Sequence, residues 1–134
     1  MAELSTSTII LCIDDNDGVL EYLRALLERC GYTVLAATSA REGLQIAAVC
    51  RVAAVIVDYH MPEMNGHDVA MEIKRLKPNT PIIMVSSDEE IPKHVLKVVD
   101  GFVPKDQTPC RLLPLLTRIC DGLFAALPEG RITA

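Results

Sequence analysis

The chain lacks several features that would steer it toward whole classes of function. It has no Trp, and aromatic residues make up only 4% of its 134 positions. A core must therefore rest on Leu, Ile, Val and Ala, as is common where helices cover a parallel sheet. An excess of basic residues is also missing. The formal net charge is -5, which argues against direct nucleic-acid binding through phosphate contacts. The five Cys form no CxxC or Cys/His spacing, so no zinc or redox motif is encoded. They read as free thiols in or near the core of a cytoplasmic protein. The N-terminal segment has no basic region ahead of its short apolar run, which speaks against a signal peptide. No run approaches the ~20 apolar residues of a membrane span, so membrane insertion is not expected.

Half of the residues are apolar. Length and composition suit one compact domain over residues 1–134, with a core of about 8–127 and short tails at both ends. Thr8 to Ile13 is a short, continuous, β-branched run, read as a strand buried on both faces. Asp14-Asp15-Asn16-Asp17 then supplies helix-starting carboxylates. Val19, Leu20, Leu23, Leu26, Leu27 and Cys30 recur at helical spacing until Gly31 stops the helix. Tyr32 to Ala37 is a second strand. Thr38-Ser39 caps a helix through Leu44, Ala47 and Ala48. Ala53 to Val57 is a third strand that ends at Asp58. The loop Tyr59 to Gly66 leads to a helix through Val69, Ile73 and Leu76. Ile82 to Val85 is a fourth strand and Gly101 to Val103 a weaker fifth. A short helix through Val95, Leu96, Val98 and Val99 lies between these two. Leu112 to Leu127 forms the last helix, with Pro114 near its start. Residues from Pro128 onward read as a frayed tail.

Alternating strands and helices imply a parallel sheet with helices on both faces. Ligands of such sheets bind beyond the carboxyl ends of the strands. Those ends carry Asp14-Asp15, Asp58, Ser86 and Lys105. Each has an ordinary structural use: the acidic pair as a helix cap, Asp58 and Ser86 as turn formers, Lys105 as a surface charge. Together they read as parts of one phosphoryl-transfer site. If the first and third strands are neighbours, three carboxylates converge and call for a cation. An all-oxygen set favours Mg²⁺ over Zn²⁺.

On these residues the sequence resembles the receiver domains of response regulators. The acidic pair, the segment Asp58-Tyr59-His60-Met61-Pro62-Glu63-Met64-Asn65-Gly66, Ser86, Phe102 and Lys105 match the family's pattern from about residue 8 to 127. The resemblance implies a flavodoxin-like, doubly wound five-stranded sheet of order 2-1-3-4-5. It implies that Asp58 accepts a phosphoryl group from a histidine kinase or a phosphotransfer protein. Asp14, Asp15, Asp58 and the backbone carbonyl of His60 would hold Mg²⁺, with Asp14 acting mostly through water. Lys105 would pair with Asp58 and then with a phosphoryl oxygen. Ser86 and Phe102 would form the switch, while the side chains of His60 and Asp88 would tune the phosphoryl lifetime. The implied protein is a signalling switch that acts on a downstream protein, not an enzyme with an external substrate. A homodimer through the face of the fourth and fifth helices fits the family's habit.

Lys105 departs from the pattern, because Asp106 and not Pro follows it and Pro104 precedes it. The stretch from Ser86 to Lys105 is also short, so its helix is expected to be truncated and Pro104 to sit in an edge strand. Two other classes fit less well. An Asp-nucleophile phosphatase would want a second Asp where His60 stands. A flavin module would want a phosphate cradle where Asp14 to Asp17 would repel phosphate.

Overall fold

The computed structural model describes residues 8–87 and 90–125. Five parallel strands lie in the order β2-β1-β3-β4-β5. They are β1 (Ile9–Ile13), β2 (Thr33–Ala37), β3 (Ala54–Asp58), β4 (Ile82–Ser86) and β5 (Gly101–Pro104). The helices are α1 (Asp17–Glu28), α2 (Ala40–Val49), α3 (Gly66–Leu76), α4 (Lys93–Leu96) and α5 (Thr108–Ala125). A 3-10 turn, Lys105–Gln107, joins β5 to α5. This is the flavodoxin-like topology expected from the sequence. Among the described residues no helix is long and apolar enough to cross a membrane.

Strand alternation divides the core. Ile10, Cys12, Ile56, Ile83 and Val85 face α1 and α5, where they meet Leu20, Leu23, Leu27, Leu112 and Leu116. Leu11, Ile13, Val55, Val57 and Ile82 face α2 and α3, where they meet Ala40, Ala47, Val69, Ala70 and Ile73. A strand buried on both faces needs apolar residues at every position, which is why these runs read as continuous in the sequence. Ile56, fully buried in the central strand, is worth about 3–4 kcal/mol against Ala by the usual cost of emptying such a site.

Several expectations change. The cap of α1 is not a carboxylate of the acidic pair. The Asn16 amide oxygen accepts from the Val19 N–H at 3.1 Å, leaving Asp14 and Asp15 for other work. At α2, Ser39 caps the Glu42 N–H while Glu42 accepts from the Thr38 N–H at 2.9 Å, closing a reciprocal capping arrangement. β3 and β4 each run one residue further than expected and so include Asp58 and Ser86. Gly31, with φ of +94°, does end the first helical segment, and Cys30 already lies outside α1.

α4 is a single turn that stops at Leu96, short of Val98 and Val99. Those two valines instead pack against the α2/α3 side of the core. The chain is captured just beyond them. Asp100 donates its N–H to the Ile82 carbonyl at 2.7 Å, and its carboxylate accepts from the Ile82 N–H and from Lys74. α5 begins at Thr108, not at Leu112, and Pro114 sits inside it. Thr108 starts the helix early because its hydroxyl donates to the Lys105 carbonyl at 2.9 Å. Cys30 and Cys110 are exposed, so only part of the thiol set is near the core. Buried Cys12 is different: desolvation pushes its thiol up to about 12, which keeps it unreactive. The expected tails, and residues 126–127 that the sequence reading assigned to the last helix, lie outside the described residues.

Candidate phosphoryl-transfer site

β1 and β3 are adjacent, and their paired register runs up to Ile13 and Val57. The residues that follow, Asp14 and Asp58, therefore emerge side by side at the carboxyl edge of the sheet. One oxygen from each of Asp14, Asp15 and Asp58 falls within 4.8 Å of the others. Asp14 and Asp58 are buried and Asp15 is exposed, so the cluster opens to solvent on one side.

The structure pairs this cluster with the Lys105 ammonium. The ammonium lies 3.3 Å from Asp58 Oδ1 and 3.4 Å from Asp14 Oδ2. Asp14 Oδ1 accepts from the Asn16 N–H at 2.9 Å. Asp14 Oδ2 is buried and accepts no hydrogen bond. An acceptor left this way is costly unless a cation faces it. The His60 N–H points to Asp58 Oδ1 at 3.4 Å.

The electrostatics follow from this count. Burial, and then the Asp14 charge, raise the Asp58 carboxyl above its ordinary value, and Lys105 only partly opposes them. Burial acts to lower the Lys105 ammonium, but Asp14 and Asp58 outweigh it and hold it above the usual lysine value. Three carboxylates against one ammonium leave the site short of positive charge. Its donors are all oxygen, which fits a hard divalent ion such as Mg²⁺.

The loop that follows β3 is built around the same point. Tyr59 N–H binds the Val85 carbonyl at 2.9 Å, and Gly66 N–H returns to the Tyr59 carbonyl at 2.8 Å. A Cβ at Gly66 would press on the Asp58 carbonyl and stand 2.9 Å from Tyr59 Cα. Only glycine allows that closure. Ser86 is wholly buried at the end of β4, one residue past the Val85 that pairs with Asp58. It pairs in register with Pro104, the last residue of edge strand β5. Phe102 is half-buried and borders a groove of about 510 Å³ with Pro92, Lys93 and Leu96. Asp88 lies outside the described residues.

Asp14, Asp15, Asp58 and Lys105 are thus brought into one cluster, with Ser86 at the neighbouring strand end. Two supporting residues escaped the sequence reading. Asn16 frees the acidic pair by capping α1, and Thr108 pins the turn that presents Lys105. A Thr three residues after the lysine, at the start of a helical pattern, was the available signal for the second.

The profile of the response regulator receiver domain matches residues 10–117. The transcriptional regulatory protein GlrR of Escherichia coli is 35% identical over 119 residues, covering 89% of this chain and 27% of GlrR. The chain thus spans about a quarter of that relative's length. A crystal structure of a response regulator receiver domain protein from Clostridium thermocellum superposes with a TM-score of 0.82 at 27% identity, covering 90% of this chain and 99% of that one. The response regulator TrrA from Thermotoga maritima, crystallised in complex with Mg(2+)-BeF, superposes with a TM-score of 0.80 at 26% identity, covering 84% and 98%. The chain belongs to the family of response regulator receiver domains, the receiving modules of two-component signalling.

Proposed function

We propose that Asp58 is the phosphoacceptor of a phosphorylation-dependent signalling switch, charged by the phosphohistidine of a histidine kinase or phosphotransfer protein. The observation that carries this reading is the buried Asp58 carboxylate, held 3.3 Å from Lys105 and clustered with Asp14 and Asp15. An Asp58 carboxylate oxygen attacks phosphorus. The new O–P bond forms as the N–P bond to the donor imidazole breaks, and the imidazole leaves. A carboxylate is a weak nucleophile, so the site must act by positioning and by offsetting charge on the transferring oxygens. Lys105 is placed to do so from the β5 side.

Asp14, Asp15, Asp58 and the His60 carbonyl would hold Mg²⁺, with Asp14 reaching it mostly through water. The ion, when bound, supplies the positive charge that the carboxylates lack. The Mg(2+)-BeF complex of TrrA supports this assignment.

The acyl phosphate adds charge and acceptor oxygens at the end of β3. The Ser86 hydroxyl, one strand over, is the donor that answers it, and drawing in its loop makes room for Phe102 to turn inward. The surface around α4 and β5 then differs between the two states. A downstream protein reads that surface, and a homodimer through α4 and α5 is a second way to use it. The chain catalyses only its own phosphorylation and slow hydrolysis, within the cytoplasm. His60, two residues after Asp58, and Asp88, two residues after Ser86, tune the lifetime. Asp88→Ala is expected to change the acyl-phosphate half-life, and an unchanged half-life removes that role.

The test is intact-mass spectrometry after incubation with Mg²⁺ and acetyl phosphate. One acid-labile phosphoryl group is expected on the wild type and none on Asp58→Asn. No adduct on the wild type, or an equal adduct on the variant, refutes the reading.

A further inference from the structure

Only three histidines occur in the chain, and two of them meet across a gap between elements. His67 sits in the first turn of α3 and His94 in the single turn of α4. Their ring centroids are 5.2 Å apart with planes at 85°. The phosphoryl-transfer reading uses neither. His60, the third histidine, stands elsewhere, its ring 4.9 Å from that of Tyr59.

The geometry points to a second cation site, in which His67 and His94 chelate a borderline transition ion of the Zn²⁺ type and clip α4 to α3. An imidazole nitrogen binds Zn²⁺ at about 2.0–2.1 Å, and ligands ~109° apart put two ring centroids roughly 5 Å apart. The observed separation already matches. Bringing a nitrogen of each ring onto one ion calls on the ring torsions, which are soft. His94 is exposed and His67 half-buried, so water can reach the ion and complete its coordination.

Donor chemistry separates this site from the carboxylate cluster. Imidazole suits Zn²⁺, Ni²⁺ and Cu²⁺, whereas carboxylates and water suit Mg²⁺. α4 has four residues and no side-chain hydrogen bond capping its start, and so short a helix holds only by its tertiary contacts. Val95 is its one buried residue. A bridge through the next residue back, His94, would therefore restrain the segment that borders Phe102.

The experiment is a Zn²⁺ titration of the whole chain in excess Mg²⁺, which fills the carboxylate cluster. It is followed by calorimetry and by the imidazole ring resonances. One Zn²⁺ should bind, with shifts at His67 and His94 and none at His60. Because His67→Ala or His94→Ala removes a direct ligand, either should weaken binding by at least the ~10-fold that follows loss of an outer-shell partner. His60→Ala should not. The idea is overturned if no Zn²⁺ binds, if the shifts fall on His60, or if both alanine variants keep the wild-type affinity. The resonance shifts are read on the wild type, so they decide the matter even if a variant folds poorly.

Discussion

Asp58 carries a negative charge that the folded chain does not want without a cation. Its carboxyl is raised in the folded state, first by burial and then by Asp14. An unfolded Asp titrates near ~4. Between that value and the raised one, the folded chain holds more protons than the unfolded chain. Stability therefore falls as pH rises through this window, and the loss is complete above it. Lys105 has the opposite sense. Its raised ammonium contributes stability that is fully present below the ordinary lysine value and is lost as pH rises through the folded one. Asp58→Asn removes one carboxylate but leaves Lys105 paired with Asp14. In metal-free buffer near pH 7 the variant should be more stable in urea by about 1 kcal/mol, the low end for relieving a buried charge cluster. Mg²⁺ should stabilise the wild type by mass action and the variant far less. A less stable metal-free variant would contradict this account of the charge.

Thr108 is the residue-scale support for the lysine. Thr108→Val keeps the shape but loses the bond to the Lys105 carbonyl. The expected cost in a urea melt is about 1 kcal/mol, together with weaker phosphorylation by acetyl phosphate. Equal phosphorylation at equal stability would show that Lys105 needs no such anchor. The sequence did not reveal this contact, because Lys105 and Thr108 meet only through a 3-10 turn that has no periodic signature. Asp14, Asp58 and Ser86, by contrast, were legible. Each stands at or just past the point where a continuous β-branched run stops.

Among the elements, the turn from β3 into α3 is the least forgiving. Gly66 carries the closure over Asp58, and its obstacle is backbone, which cannot rotate away. Gly66→Ala should cost about 2–3 kcal/mol as an overpacked site and lower Mg²⁺ affinity, read by a melt and a titration. α5 offers the reverse case. Pro114 lies inside the helix and is exposed, so it removes one backbone hydrogen bond and packs little. Pro114→Ala should raise stability by roughly 1–3 kcal/mol, read by its denaturation midpoint.

Element ends divide into those set locally and those set by distant contacts. Thr38-Ser39 announced α2 because a capping residue acts on its own neighbours. The early start of α5 at Thr108 and the stop of α4 at Leu96 did not show. The first depends on the Lys105 turn, and the second on Asp100 binding back to Ile82 across 18 residues. The shortness of the Ser86 to Lys105 stretch was visible, and the single-turn α4 is its consequence.

At the scale of the whole molecule, strand order puts the chemistry together. β1 and β3 are adjacent only because the chain crosses from β2 back past β1. That crossing brings Asp14 and Asp15 to Asp58, and the far edge of the sheet delivers Lys105. The same order places Ser86 and Phe102 on the two strands leading away from Asp58, toward the groove beside α4. On the proposed function, phosphorylation at one strand end would be read at a surface two strands away. The most direct measurement traps the acyl phosphate after treatment with Mg²⁺ and acetyl phosphate. Borohydride reduces a phosphorylated Asp to homoserine, and peptide mass spectrometry then locates it. The account predicts homoserine at position 58 and at no other Asp. Homoserine at position 14 or 15, or at none, would contradict it.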